Sequence, residues 1–188
     1  SPQGNFILKL DSTGSFVWAR AFGGSGSIGM SIKIDSLHNV YSTGGFQGVG
    51  DFDPGPSVFN LTAFSLTDTY VSKLDAFGNF IWAKQIGGTG SEQGNSLAID
   101  KFFNVYITGS FEGVCDFDPS PSILNYTASG SLDIFVEKLD ANGNLAWAKK
   151  MGGSTFCNCD IGYSISLDSA NNVYTTGNFT GTVDFDPG

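Results

Sequence analysis

The sequence predicts an all-β fold in which one supersecondary unit is copied in tandem, and three recurring phrases support this prediction. Each phrase returns after about 65 residues, a spacing that is typical of a repeat unit rather than of a single strand. The phrases are a tryptophan segment around Trp18, Trp82 and Trp147, an Asn-Val-Tyr segment starting at Asn39, Asn104 and Asn172, and an Asp-Phe-Asp-Pro segment starting at Asp51, Asp116 and Asp184. A residue copied into every unit usually belongs to the scaffold, so the repeat indicates architecture more directly than catalysis.

The second copy of the unit contains four strand signals, which we label strands a to d. They are residues 96–100 (SLAID), 105–109 (VYITG), 134–140 (IFVEKLD) and 145–151 (LAWAKKM). Each segment is short, rich in β-branched and aromatic residues, and bounded by Gly, Asn or Asp. An antiparallel four-stranded unit that is apolar on both faces can bury them only by stacking on further copies. The sequence therefore predicts the blades of a β-propeller.

Tight turns are predicted between strands c and d and between strands a and b. The c–d turns are 11–15, 75–79 and 140–144, and the a–b turns are 35–39, 100–104 and 168–172. The opening Asp of each turn is expected to accept backbone amides, and the Gly of the c–d turns to take the left-handed conformation. Counting back from the c–d closure gives three cross-strand pairs, which are Leu8 with Trp18, Ser72 with Trp82, and Glu137 with Trp147.

The phase of the repeat divides the chain into two whole blades and two half-blades. In chain order the strands are c-d, a-b-c-d, a-b-c-d and a-b, about three blade equivalents. One array covers 1–188, with a c–d half-blade at 1–30, blades at 31–94 and 95–162, and an a–b half-blade at 163–188. Since rings need about four to eight blades, three outcomes stay open: a six-bladed ring of two chains that exchange halves, a head-to-tail filament, or an excerpt of a longer array.

The segment DAFGNFIWAKQIGGTGSEQGNSLAIDKFFNVYITGSF resembles the β-propeller repeat of the SBBP family, which occurs in large secreted multi-repeat bacterial proteins. The phrase Asp-x-x-x-Asn-Val-Tyr-x-Thr-Gly carries most of the resemblance, and it is also similar to the strand a–b hairpin of NHL-type propellers. The likeness extends over essentially the whole chain. It implies a propeller fold and no common catalytic residues.

The charge of the chain excludes several classes of partner. Nine Lys and Arg stand against 18 Asp and Glu, which gives a net charge of -9. Nucleic acids and anionic membrane surfaces both require a basic stripe, and the sequence has none. No apolar run approaches the ~20 residues that a membrane span requires. The acidic, Cys-poor and Gly-rich composition favours an extracellular or cell-surface location.

The b–c and d–a linkers are expected on one face of the array, where loops on a rigid scaffold usually carry function. The Asp-Phe-Asp-Pro phrases lie in the b–c linkers and offer paired carboxylates at i and i+2, which in an extended chain suit a hard cation such as Ca²⁺. The candidate ligands are Asp51, Asp53, Asp116, Asp118, Asp184 and Asp186. The structural alternative is that each Asp caps a turn while Phe52, Phe117 and Phe185 pack inward. No other cofactor is expected.

Two kinds of covalent modification are suggested by the sequence. Cys115, Cys157 and Cys159 do not recur in other copies of the repeat, and either a disulfide between Cys115 and one of the other two or free thiols is expected. Three Asn-x-Thr sequons, at Asn60, Asn125 and Asn178, are candidate glycosylation sites.

The chain is poorly equipped for catalysis. His38 is its only histidine, and the repeat counterparts of His38 are Phe103 and Asn171. We therefore expect a non-enzymatic extracellular or cell-surface structural or adhesive module, which associates with itself through half-blades or with further repeats of a longer chain. The alternatives are a propeller that binds a glycan or calcium through the Asp-Phe-Asp-Pro loops, and an enzyme.

Overall fold

The computed structural model describes residues 4–154 and 160–186, and these form β-strands and no helix. The strands are β1 (Asn5–Leu10), β2 (Phe16–Phe22), β3 (Ile28–Ile34), β4 (Val40–Phe46), β5 (Val49–Asp51), β6 (Asn60–Thr62), β7 (Asp68–Leu74), β8 (Phe80–Gly88), β9 (Glu92–Ile99), β10 (Val105–Phe111), β11 (Val114–Asp116), β12 (Asn125–Thr127), β13 (Asp133–Leu139), β14 (Leu145–Met151), β15 (Ile161–Leu167) and β16 (Val173–Asn178). In this part of the chain there is accordingly no helix that could span a membrane.

The strands form two complete antiparallel blades between two hairpins. The first blade has the order β8-β7-β4-β3 and the second the order β14-β13-β10-β9. The N-terminal hairpin is β1–β2 and the C-terminal hairpin is β15–β16. The predicted all-β class, the four-stranded blades and the strand phase are thus confirmed. The described residues do not close into a ring.

The two kinds of turn differ in the residue that takes the left-handed conformation. It is a glycine in the c–d turns and a larger residue in the a–b turns. The values of φ are 83°, 79° and 78° at Gly14, Gly78 and Gly143, and 64°, 67° and 64° at His38, Phe103 and Asn171.

A carboxylate organises each of these turns. Asp75 Oδ1 accepts the backbone N–H groups of Phe77 and Asn79, each at 2.8 Å. Burial raises the pKa of Asp75, but these bonds and the bond from the Asn79 side chain outweigh burial and lower the pKa overall. The turns are therefore held by ionised carboxylates, as the recurring Asp predicted.

The predicted partners of the tryptophans are wrong by one residue. Trp18 lies opposite Lys9, and Trp82 and Trp147 likewise lie opposite lysines. The cause is a β-bulge beyond the turn: Leu10 pairs with Phe16 and Lys9 with Trp18, so Val17 has no partner. An extra residue on one strand shifts the register by one. Leu8, Ser72 and Glu137 consequently lie opposite alanines.

Each of the first two tryptophans fastens its own blade or hairpin to the next blade. Trp18 Nε1 donates to the carbonyl oxygen of Ala76 at 3.3 Å, and Trp82 Nε1 donates to that of Ala141 at the same distance. Both carbonyls lie in the c–d turn of the following blade. The recurring tryptophan is therefore part of the scaffold.

An apolar cluster fills the space between each pair of neighbouring units. The innermost strands also contact one another in a repeated way. Leu97 N donates to Ser31 Oγ at 3.3 Å, and Ile165 N donates to Ser96 Oγ at 3.4 Å. The stacking of the units is thus the same at successive junctions.

Candidate functional site

The b–c linkers contain short strands that the sequence pattern did not predict. β5 pairs with β6, and β11 pairs with β12. β11 also joins the preceding blade, because Cys115 and Asp116 pair with Gly88 and Gly87 of β8. Isolated bridges repeat this contact at the other junctions, between Gly23 and Asp51 and between Gly152 and Asp184. We call these linker segments straps, since each one ties a blade to the outer strand of the unit before it.

The first aspartate of each Asp-Phe-Asp-Pro phrase caps the strap. Asp51 Oδ1 accepts the N–H groups of Asp53 at 3.0 Å and Phe59 at 2.9 Å. Asp116 Oδ1 does the same for Asp118 at 3.0 Å and Leu124 at 2.8 Å. The third copy keeps the first of these bonds, from Asp186 N to Asp184 Oδ1 at 2.9 Å.

The phenylalanine of the Asp-Phe-Asp-Pro phrase is buried in the core in two of the three copies. The ring of Phe52 is fully buried, with its centroid 5.1 Å from those of Phe46 and Tyr70. Phe117 is fully buried in the same way, whereas Phe185 is 52% exposed. The bonds of the aspartates and the position of the rings favour the structural interpretation of the motif.

The six candidate metal ligands do not converge within the described residues. No group of three or more His, Cys, Asp or Glu side chains suited to a metal ion occurs in residues 4–154 and 160–186. The second aspartate of the phrase also serves the backbone: Asp53 Oδ1 accepts Gly55 N at 2.7 Å, and Asp118 Oδ1 accepts Ser120 N at 2.9 Å. A calcium site made by these residues stays a prediction.

The modification candidates differ in accessibility. Cys115 is fully buried and forms no disulfide with another described residue, while Cys157 and Cys159 lie outside the described residues. The three sequon asparagines are exposed, with Asn60 on β6, Asn125 on β12 and Asn178 on β16. The disulfide and the glycosylation sites therefore stay predictions.

A fully buried aspartate that the sequence pattern did not single out lies beside the first complete strap. Asp68 Oδ2 accepts the backbone N–H of Phe64 at 3.1 Å and the Gln85 amide at 2.5 Å, while Oδ1 has no partner in the described part of the chain. The carboxylate lies so close to Gly87 that a Cβ at that position would collide with it. Burial raises the pKa of Asp68 in spite of these bonds.

The second blade has the same aspartate with a different partner. Asp133 Oδ2 accepts the backbone N–H of Ser129 at 3.0 Å and forms an ion pair with Lys150 Nζ at 2.9 Å. Lys150 occupies the repeat position of Gln85, so the charge of the aspartate is balanced in one blade and not in the other. The sequence signal that could have identified this site is the Asp that recurs at the start of strand c, at Asp68 and Asp133.

Glu92, at the start of β9, is a further buried acid on the linker face. Its Oε2 accepts Gly88 N at 2.9 Å, and none of the described residues bonds to its Oε1. Burial, followed by the negative charge of Asp68, raises the pKa of Glu92 to about 8. At the same repeat position Ser27 Oγ accepts Gly24 N at 2.9 Å. A side chain at this position therefore accepts a backbone N–H of the d–a linker at each junction. The side chain is an acid only at this junction and the next, where it is Asp160.

Glu137 of β13 is enclosed in the interface between the two complete blades. The side chain is fully buried, and neither of its oxygens has a partner among the described residues. Burial and the negative charges of Asp118 and Asp116 hold the pKa of Glu137 well above its usual range. The repeat counterpart Ser72 instead shares a hydrogen bond of 2.8 Å with Ser42.

An open groove of about 480 Å³ lies between the N-terminal hairpin and the first blade. Phe6 and Leu8 of β1 line one side, and Met30 and Ile32 of β3 line the other. All four side chains are exposed. The groove is mostly apolar, so it suits a protein segment better than a charged small molecule.

Comparison with known proteins agrees with this architecture. Residues 81–110 match the family described as SBBP, beta-propeller repeat. The chain is 34% identical over 116 residues to an uncharacterized WD repeat-containing protein of Acanthamoeba polyphaga mimivirus, which is 53% of this chain and 8% of that protein. It is 28% identical over 139 residues to the regulatory protein FlaEY of Caulobacter vibrioides, which is 73% of this chain and 14% of that protein. The chain thus spans only a small part of the length of these relatives.

The four-stranded blades, the inner-strand contacts and the straps define a β-propeller repeat protein. Within this class, the segment 81–110, from β8 through the β9–β10 hairpin, matches the beta-propeller repeat of the SBBP family. The resemblance expected from the sequence is confirmed there.

Proposed function

We propose that the chain is a non-enzymatic structural or adhesive module of the extracellular space or cell surface, and that it assembles by completing its half-blades with those of a second copy. One observation carries the proposal: positions that are buried in the complete blades are exposed in the two hairpins. The acidic, Cys-poor composition and the exposed sequons support the location.

The exposure difference is large on the N-terminal hairpin. Leu10 of β1 is 48% exposed, whereas its counterparts Leu74 and Leu139 are fully buried. Phe6 is 76% exposed, whereas its counterparts Tyr70 and Phe135 are fully buried. The unpaired edge of β1 and these side chains together form a surface suited to a further strand.

The C-terminal hairpin shows the complementary surface. Tyr174 of β16 is 59% exposed, although its counterpart Tyr41 is fully buried, and Phe179 is 54% exposed although Phe46 is fully buried. In the complete blades, strand b pairs on this side with strand c. Strand c is the element that β1 offers.

The complete blades supply the expected register. In the first blade β4 pairs with β7 so that Ser42 lies opposite Ser72. The counterparts of these residues on the hairpins are Thr175 and Leu8. A second copy whose β1 lies beside β16 in this register would bring Leu8 opposite Thr175 and bury the apolar residues of both hairpins.

Two further contacts would be repeated across the new junction. Ile32 N of the second copy would donate to Ser164 Oγ, as Leu97 N and Ile165 N do within the chain. The Trp147 indole of the first copy would donate to the backbone carbonyl of Ser12 of the second copy, as the Trp82 indole donates to that of Ala141 within the chain. Both of these contacts are therefore of kinds that the chain already makes between its own units.

A disulfide experiment tests the register directly. The double variant Leu8→Cys and Thr175→Cys should cross-link between chains under mild oxidation, because directly opposed residues in an antiparallel pair have suitable Cα separations. The matched control, Leu8→Cys with Tyr174→Cys, is one residue out of register and should not cross-link, since neighbouring residues project to opposite faces.

Light scattering on the same samples separates the outcomes. A cross-linked dimer, or a ladder of higher species, supports pairing with a second copy as a ring or a filament. A cross-link within one chain, or a monomer at all concentrations, would contradict the proposal and leave further repeats of a longer polypeptide as the partner.

A further inference from the structure

We propose that the interface between the two complete blades is pH-sensitive: Glu92 and Glu137 hold it closed as neutral acids and loosen it when they ionise. This inference concerns the interior of the chain and is independent of its self-association.

The first argument is burial without partners. Glu92 reaches the interface from β9 and Glu137 from β13, and both side chains are fully buried. One oxygen of Glu92 and both oxygens of Glu137 have no hydrogen-bond partner among the described residues. An ionised carboxylate in such a place is strongly destabilising unless it is paired, so the neutral form is favoured.

The second argument is the sign of the surrounding charges. The negative charges of Asp118 and Asp116 on the strap act on Glu137, and that of Asp68 on β7 acts on Glu92. Cys115 lies in the apolar cluster between the two blades. Burial raises the pKa of its thiol, and the negative charges of Glu92 and Glu137 raise it further. Glu112 of the linker adds a weaker negative charge near Glu92. These neighbours all oppose ionisation.

Two bases of the first blade, Lys84 and Lys73, lie elsewhere on the interface. Lys84 lies against Gly143 in the c–d turn of the second blade, and its positive charge helps to lower the pKa of Asp140 in the same turn. The Nζ of Lys73 lies 5.0 Å from the centroid of the Tyr41 ring; burial lowers the pKa of Lys73, and the negative charge of Asp35 partly offsets this. Within the described residues, neither base is among the groups that influence Glu92 or Glu137.

The other junctions lack this combination. At the first junction Ser27 and Ser72 occupy the positions of Glu92 and Glu137, and Ser72 shares a hydrogen bond with Ser42. At the third, both oxygens of Asp160 are bonded, to Gly153 N and Thr180 N at 2.9 Å each. Among the described residues, Glu92 and Glu137 therefore occur together at the middle junction, each with an unpartnered oxygen, and Oδ1 of Asp68 is unpartnered there as well.

The sign of the pH effect follows from the raised pKa values. In the unfolded chain both glutamates release their protons above about pH 4.5, whereas in the folded chain the pKa of Glu92 is about 8 and that of Glu137 is also raised. Stability is therefore fully present below about pH 4.5 and falls as the pH rises. For each proton that the folded chain binds and the unfolded chain does not, the folding equilibrium constant decreases about tenfold per pH unit over this range.

The test is urea unfolding of the 188-residue chain between pH 5.5 and 8.5. The wild-type midpoint should fall steadily with pH, and Glu92→Gln and Glu137→Gln should each flatten the profile. The control Glu112→Gln changes an exposed glutamate whose charge is the weakest of those acting on Glu92, so its slope should stay close to that of the wild type. A flat wild-type profile, or Gln variants that retain the full slope, would overturn the inference.

A second measurement on the wild-type chain does not depend on whether the variants fold. The side-chain carboxyl carbon of Glu92 should titrate near pH 8 by NMR. Hydrogen exchange at pH 8.5 relative to pH 6, corrected for the intrinsic rates, should increase more in β9 and β13 than in β3. Titration of Glu92 near pH 4.5, or a uniform change in exchange, would contradict the proposed interface.

Discussion

The two complete blades share one backbone and one set of turns, but they differ in the polar residues that face their neighbours. Both have an Asp-capped strap, a buried phenylalanine and a buried aspartate at the start of strand c. They differ at Gln85 and Lys150 beside that aspartate, and at Ser72 and Glu137 in the middle of strand c. The comparison teaches that recurring residues form the blade, whereas the varied residues set the strength and pH response of each junction.

The largest expected effect tests the shared part. Phe52→Ala and Phe117→Ala should each lower the free energy of unfolding by about 3–5 kcal/mol, because each removes a fully buried ring that anchors a strap. Phe185→Ala is the matched control, since this third copy is half exposed and its loss should cost much less. Chemical denaturation provides the measurement. Equal losses at Phe52 and Phe185 would show that burial of the ring does not hold the strap.

The second prediction exchanges the polar residue beside the buried aspartate. Lys150→Gln should destabilise the second blade by about 1–3 kcal/mol at pH 7, since Asp133 loses a charge-assisted hydrogen bond. The reciprocal Gln85→Lys should stabilise the first blade by a smaller amount, because it offers the buried Asp68 a cation. Thermal unfolding of both variants checks the signs. Stabilisation by Lys150→Gln would mean that desolvation of the ammonium outweighs the ion pair.

Most of the blade could be predicted from the sequence because its signals are local. The Asp that opens each turn and the strand signals recur in each copy, and they depend on neighbours only a few residues away. The register of Trp18 could not be predicted in this way. The bulge at Val17 leaves no mark in the pattern, and an error of one residue moves the whole cross-strand pairing.

The interfaces could not be predicted because their partners lie in another copy of the repeat. The ladder of β11 is completed by Gly87 and Gly88 of the preceding blade, so its sequence alone did not indicate a strand. The Asp-Phe-Asp phrase was correctly recognised as a motif, but its backbone bonds appear only in the folded strap. Glu137 differs from Leu8 and Ser72 at the same position, and this departure from the repeat was the only available signal of a special site.

The smallest predicted effect concerns the a–b turns, where the blades use Phe103 and His38 at left-handed positions. Phe103→Gly should raise the free energy of unfolding by about 0.5–1 kcal/mol, because relief of the strained backbone exceeds the entropic cost of glycine. Phe102→Gly is the matched control: Phe102 is exposed and does not have a positive φ, so its replacement should destabilise the chain. His38→Gly should behave like Phe103→Gly, whereas Asn171→Gly should gain less because asparagine tolerates this conformation. Urea unfolding of the four variants gives the order, and a loss of stability in Phe103→Gly would mean that packing of the ring outweighs the backbone strain.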